Sequence, residues 1–85
     1  MDIVAREGET IVFVEVKTRD GRAFGGGGEA ITGHKRRRIV RLGLDYLMRH
    51  HLTECPCRFD VVLIEFDTGE PVITIISHAF DAGTA

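Results

Sequence analysis

The amino-terminal part of the chain alternates short apolar runs with polar residues. Residues 2–5 and 10–17 are rich in β-branched and aromatic side chains, which favour β-strands. The polar segment 6–9 between them contains Gly8, which can adopt a positive φ. The pattern therefore predicts a β-hairpin with a tight turn in this segment.

A helix is predicted over residues 32–50, with Thr32 as its N-cap. On a helical wheel the apolar residues fall on one broad side, namely Ile39, Val40, Leu42, Leu44, Tyr46 and Leu47. The opposite side carries Arg37, Arg38, Arg41 and Arg49, with Asp45 among them. This segment is therefore expected to be amphipathic, with a basic outer face.

Two further strands are predicted after this helix. Residues 59–66 are almost continuously apolar, which is typical of a strand buried on both faces. Residues 72–77 form the last strand, so the predicted order is β-β-α-β-β in one α/β domain spanning residues 1–85. The glycine-rich segment 20–28 is predicted to be a flexible loop, and the tail 81–85 is predicted to fray.

Composition narrows the class of protein. The chain has 85 residues, of which 44% are hydrophobic and 28% are charged, as in ordinary globular domains. No apolar run approaches the roughly 20 residues that cross a bilayer, and no signal-peptide pattern follows Met1. We therefore expect a cytoplasmic protein without membrane contact, whose two cysteines are reduced.

The net charge of −2 conceals a strong asymmetry. Residues 17–41 contain eight basic and two acidic side chains, a net charge of +6, whereas the remainder carries three basic and eleven acidic side chains, or −8. Such a division indicates a surface that binds a polyanion on an otherwise acidic body.

Glu15 and Lys17 interrupt the most apolar strand, and alternation places both on one face with Phe13. A two-residue hairpin loop at 7–8 would place Asp2 opposite Phe13, whereas a loop at 8–9 would place Asp2 opposite Glu15. Either register brings Asp2, Glu15 and Lys17 to one surface.

Two carboxylates and a lysine suit metal-dependent hydrolysis of phosphodiesters. Asp2, Glu15 and the main-chain carbonyl of Val16 could hold Mg²⁺, or Mn²⁺ in its place, because these are hard oxygen ligands. The metal would activate a water, which Lys17 could orient while also stabilising charge on the phosphate. From spacing alone, an exposed salt bridge is the commoner origin of such an alternation.

The segments Asp2-Ile3-Val4 and Val12-Phe13-Val14-Glu15-Val16-Lys17-Thr18-Arg19 resemble the core of the PD-(D/E)xK nuclease superfamily. With Cys57-Arg58-Phe59-Asp60-Val61-Val62, they more closely resemble the bacterial YraN family, which is related to archaeal Holliday-junction resolvases. The resemblance implies a restriction-endonuclease-like mixed sheet. It also implies that Asp2, Glu15 and Lys17 are the catalytic residues, and by analogy with resolvases a homodimer.

The chain departs from the family pattern in two places. Members of the family begin with a glutamate-bearing helix and a strand, so we expect the natural domain to include a segment before Met1. The loop that usually carries Ser-Pro is polyglycine at positions 25–28.

The helix supplies candidate phosphate contacts. Duplex or branched DNA is the expected partner, because lysine and arginine bind phosphates without regard to sequence. The candidate nucleic-acid-binding residues are Arg19, Thr32, Lys35, Arg37, Arg38 and Arg41. A solvated basic helix face is the alternative interpretation.

Other chemistry-bearing residues give weaker signals. His50, His51, Cys55 and Cys57 lack the spacing of a zinc knuckle. Asp60 is expected to accept structural hydrogen bonds, with an approach to the site as the alternative. Glu29 is expected to cap the helix, with an approach to the metal as the alternative.

The leading hypothesis is a Mg²⁺-dependent DNA endonuclease-like domain acting on branched or damaged DNA. The alternatives are a non-catalytic nucleic-acid-binding or assembly module that retains the nuclease fold, and a protein-interaction domain.

Overall fold

The computed structural model describes residues 1–20, 31–66 and 69–80, without the side chain of Asp20. The order of elements is the predicted one: β1 (Ile3–Glu7), β2 (Thr10–Asp20), α1 (Gly33–Arg49), β3 (Cys57–Phe66) and β4 (Val72–Phe80). The strands form one four-stranded sheet in the order β1-β2-β3-β4. The prediction of a mixed α/β fold is therefore confirmed at this level.

The hairpin of β1 and β2 has its turn at Gly8 and Glu9. Ile3 pairs with Val14 and Glu7 pairs with Thr10, so the second of the two expected registers is the observed one. Gly8 has a φ of 63°, a conformation in which a glycine avoids the clash that a Cβ would make. The turn thereby fixes which residue of β1 lies opposite each residue of β2.

Strands β2 and β3 run parallel and are connected through α1. Ten residue pairs run from Ile11 and Cys57 to Asp20 and Phe66. Because this partner strand is long, β2 continues to Asp20 rather than ending at the predicted Lys17, and β3 begins two residues before Phe59. Parallel strands need such a crossover, and α1 supplies it.

Strand β4 closes the order by pairing antiparallel with β3. It continues to Phe80, past the predicted end at residue 77, because Phe59 pairs with Phe80 beyond a bulge. His78 lies in this irregular stretch with a φ of 56°. The flexible loop and frayed tail predicted for 20–28 and 81–85 fall, apart from the backbone of Asp20, outside the described residues.

Helix α1 packs on one face of the sheet and forms the core there. The buried cluster consists of Ile11, Phe13, Ile31, Ile39, Leu47, Phe59 and Val61. Gly43 is buried against Phe13 and Phe59, and a Cβ at this position would lie 3.0 Å from Cε1 of Phe59. The absence of a side chain therefore lets the helix approach the strands closely.

Two burial predictions are wrong in part. Leu42 and Leu44 are 43% and 44% exposed, because the side of α1 that contacts the sheet centres on Ile39, Gly43 and Leu47. Most of β3 is only half-buried, since among the described residues the one helix covers a single face of the sheet.

Candidate active site

Asp2 immediately precedes β1, one residue before the first pair of the hairpin, Ile3 and Val14, and lies beside the part of β2 that contains Glu15. The amide of Asp2 donates to the carbonyl of Val14 at 3.0 Å. The Asp2 carboxylate in turn accepts a 2.7 Å hydrogen bond from the amide of Val16 through Oδ2. Asp2 is thus fixed beside β2 by hydrogen bonds to the main chain of Val14 and Val16.

The Glu15 side chain points to the face of the sheet that α1 covers. Its Oε1 atom is buried and lies 2.9 Å from the amino group of Met1. Apart from this ion pair, Oε1 has no polar partner among the described residues. A buried carboxylate oxygen of this kind is stabilised by a cation.

A cavity of about 180 Å³ separates Glu15 from the first half of α1. Its walls are Met1, Glu15, Lys35, Arg38, Ile39 and Leu42. Lys35, Arg38 and Leu42 follow the helical spacing of three and four residues, so they form one stripe on α1. The helix therefore presents two cations to the cavity that also contains the Glu15 carboxylate. We name this space the acidic cavity.

Lys17 lies two residues beyond Glu15 on the same face, beside a second cavity of about 190 Å³. Arg36 lines this second cavity as well, and its guanidinium donates to the carbonyl of Ile31 at 2.9 Å. Glu15 and Lys17 thus border two neighbouring spaces under one helix. Arg36 was not among the predicted site residues, although its spacing of three from Ile39 and four from Val40 places it on the inward side of α1.

The remaining predicted phosphate contacts are divided between inner and outer positions. Thr32 is the N-cap of α1, and its Oγ1 accepts a 3.2 Å hydrogen bond from the amide of Lys35, as predicted. Arg37 and Arg41 are exposed and line neither cavity. Arg19 forms an ion pair with Glu65 on the adjacent strand, so its guanidinium is already engaged by a carboxylate.

Few side chains of the described residues are available to hold a divalent cation near Glu15. The described residues hold no group of three or more His, Cys, Asp or Glu side chains that could bind a metal ion. Mg²⁺ is ordinarily held by only one or two carboxylates, with waters and substrate phosphates as the other ligands. The carboxylates of Asp2 and Glu15 match that number of ligands, and the carbonyl of Val16 remains the predicted third ligand.

Asp60 has the structural role expected of it. It is 5% exposed, and its Oδ1 accepts from Nε of Arg58 and from the amide of His78, both at 3.1 Å. Hydrogen bonds to Glu7 and then to Asp60 raise the pKa of Arg58. This network joins β1, β3 and the bulge of β4, which are remote in sequence.

The cysteines form no disulfide: Cys55 and Cys57 are both free. Burial raises the pKa of the Cys57 thiol, which favours its uncharged form. In the part of the chain that the structure describes, no helix is both long and apolar enough to cross a membrane.

Relatives of the chain extend over almost its whole length. Residues 1–64 match the profile of a family described as "Uncharacterised protein family UPF0102". A UPF0102 protein of Symbiobacterium thermophilum is 47% identical over 83 residues, which cover 96% of this chain and 70% of the relative. One of Nitrosospira multiformis is 44% identical, covering 95% and 66%. One of Moorella thermoacetica is 45% identical, covering 94% and 68%. The chain thus spans about two thirds of the length of these relatives.

Proposed function

The chain belongs to the UPF0102 (YraN) family, and we propose that it forms the core of a Mg²⁺-dependent DNA endonuclease. The observation that carries the proposal is the acidic cavity, in which Glu15 faces Lys35 and Arg38 across a space of about 180 Å³. A carboxylate for a metal and cations for a phosphate are thereby combined on the same side of the sheet. This arrangement suits a restriction-endonuclease-like fold.

The carboxylates of Asp2 and Glu15 would hold the metal ion. Asp2 is fixed by the amide of Val16, and Glu15 contributes a buried oxygen whose one polar partner among the described residues is the amino group of Met1. When bound, Mg²⁺ would supply an activated water and neutralise charge on the phosphate. The protein's own part is to hold these oxygens in place: Glu15 stands on β2, and Asp2 is bonded to the main chain of β2.

Lys17 would act on the reacting phosphate from the neighbouring position on β2. Alternation along a strand puts its ammonium on the same face as Glu15. A positive charge held there stabilises negative charge that develops on phosphate oxygens during hydrolysis. Lys35 and Arg38 would hold the substrate backbone over the acidic cavity, and the exposed Arg37 and Arg41 would contact phosphates farther along.

A cleavage assay tests the catalytic assignment. Purified protein is incubated with a labelled linear duplex and a four-way junction in Mg²⁺, in Mn²⁺ and in excess chelator. We expect cleavage only with metal, loss of cleavage in Glu15→Gln, and a decrease of at least about 100-fold in Lys17→Met.

The matched control for Glu15 is Glu9, an exposed carboxylate in the turn of the same hairpin. Glu9→Gln removes the same charge from the same hairpin and should cleave like the wild type. Thermal melting shows whether each variant is folded. Undiminished cleavage by a folded Glu15→Gln protein would refute the site.

Phosphate binding by α1 is tested by the dependence of DNA affinity on salt. Removing one phosphate contact should reduce the slope of log K against log salt by about 1. We expect this change for Arg38→Gln. The control is Arg49→Gln, at the other end of the helix, where Arg49 is 74% exposed and paired with Asp45 at 2.8 Å. Equal slopes for the two variants would contradict a specific role for Arg38.

A non-catalytic DNA-binding module is the second candidate. The observation in its favour is that the described residues contain no group of three or more His, Cys, Asp or Glu side chains that could bind a metal ion. Such a module would bind DNA with a strong salt dependence, show no Mg²⁺ binding by calorimetry and leave every substrate intact. Mg²⁺ binding that is lost in Glu15→Gln would favour the nuclease instead.

A further inference from the structure

The second cavity, beside Lys17, differs chemically from the acidic cavity. Its volume is about 190 Å³, and its lining is mostly apolar. The lining residues are Lys17, Ile31, Arg36, Val61, Leu63, Ile76, Ala79 and Phe80. Among the described residues of this lining, the ionisable side chains are the two cations Lys17 and Arg36. We name it the apolar cavity.

The size of the apolar cavity limits what can enter it. An apolar protein cavity of about 150 Å³ can hold one benzene molecule. A space of about 190 Å³ therefore fits a single flat heterocycle, whereas drug-sized ligands occupy pockets of about 300 Å³ or more. The ring of Phe80 stacks on Phe59 with centroids 5.2 Å apart and planes inclined by 17°, so one aromatic wall is fixed by the core.

The two cations add a requirement for an anion next to the flat group. Arg36 is anchored through its hydrogen bond to the carbonyl of Ile31, and Lys17 stands on the central strand β2. A planar group with an attached phosphate meets both demands, and a nucleotide has this composition. Lys17 also connects the apolar cavity to the Glu15 strand face, so the attached phosphate would lie beside the proposed reaction centre.

We propose that the apolar cavity receives one unpaired nucleobase of the DNA substrate, while Lys17 and Arg36 bind the phosphate attached to it. The inference rests on the proposed function and specifies its substrate class as DNA with an unpaired base. Taking a base out of a duplex is costly, and the cost is smallest where the base is already unpaired. The cavity therefore favours branched or damaged DNA over an intact duplex.

The test measures binding without cleavage. Two oligonucleotide duplexes of equal charge are compared by fluorescence anisotropy in chelator: one has a single bulged adenine, and the other has an abasic residue at that position. Stacking and burial of the base should make the wild type bind the first duplex about 5- to 150-fold more tightly. Equal affinity of the wild type for the two duplexes would overturn the proposal.

Filling the apolar cavity should remove this preference. Ala79→Leu adds three carbon atoms to the wall without changing charge, and Ile76→Phe does so from a side chain that is 44% exposed. Each variant should bind both duplexes with the affinity that the wild type has for the abasic one. The control Ala5→Leu adds the same atoms on β1, outside the cavity, and should keep the preference. A preference retained in both folded cavity variants would contradict the assignment.

A competition experiment shows which chemical class of ligand the apolar cavity binds. 2′-Deoxyadenosine 5′-monophosphate should displace the bulged duplex at lower concentration than inorganic phosphate or hexanoate. Hexanoate that competes as well as the nucleotide would show a general site for small amphiphilic anions and overturn the proposal. The proposal would also be overturned if the protein bound the nucleotide but had equal affinity for the bulged and the abasic duplex. Because chelator is present throughout, the base preference is measured independently of whether the protein cleaves DNA.

Discussion

Gly43 is the position where one added methyl group should most directly test the packing of the helix on the sheet. A Cβ there would lie 3.0 Å from Cε1 of Phe59 and 3.1 Å from Cε2 of Phe13. Both rings are only 1% exposed and stack on each other with centroids 5.3 Å apart. Neither ring can therefore move aside without disturbing the other.

Two opposing terms set the effect of Gly43→Ala on the free energy of unfolding. Alanine in place of glycine inside a helix gains about 0.8–1.0 kcal/mol of helix propensity. Overpacking a core ordinarily costs about 1–3 kcal/mol. Since the contacts are with two fully buried rings, we expect the steric cost to exceed the gain. The net loss of stability should be about 1 kcal/mol, or about 4–8 °C in melting temperature for a domain of this size.

Urea denaturation followed by circular dichroism measures this difference, with Gly33→Ala as the matched control. At Gly33 the nearest atom to an added Cβ is Nη1 of Arg37 at 3.3 Å, the far end of a flexible side chain. Gly33→Ala should therefore leave stability unchanged or raise it by up to about 1 kcal/mol. A Gly43→Ala protein more stable than the wild type would show that the rings yield freely, and the reasoning from close approach would be wrong.

Further predictions concern the hydrogen-bond network, the hairpin turn and a thiol. Asp60→Ala should lower the free energy of unfolding by about 2–4 kcal/mol, because Arg58 and the amide of His78 lose a buried acceptor. A loss of unfolding free energy below about 0.5 kcal/mol in a urea titration would contradict this role. Gly8→Ala should cost about 1–2 kcal/mol in the same assay, owing to the φ of 63°, and an unchanged midpoint would rule out strain there. Because burial raises the pKa of the Cys57 thiol, its alkylation rate plotted against pH should have a midpoint above about 8.5, the usual pKa of thiols. The stability contributed by the neutral thiol is present at neutral pH and is lost as the pH rises through the pKa of the folded state. A midpoint at or below that of a model thiol would refute the shift.

The sequence by itself determined the features that depend on neighbours along the chain. Strand alternation put Glu15 and Lys17 on one face, because successive side chains of a strand point to opposite sides. The cap at Thr32 and the turn at Gly8 follow from a hydroxyl and a permissive φ, which act within a few residues. The order of the elements could be predicted for the same reason.

Only the tertiary structure decided the features that depend on pairing and packing. The two hairpin registers differed by one residue in the position of the loop, and the observed one pairs Ile3 with Val14 and leaves the Asp2 carboxylate bonded to the amide of Val16. Pairing with β3 extended β2 beyond Lys17, and the close approach at Gly43 set which side of α1 contacts the sheet. Arg38, which helical periodicity alone had assigned to the outer face, is exposed and lines the same cavity as Glu15. These outcomes required the tertiary structure because they depend on contacts between segments that are distant in sequence.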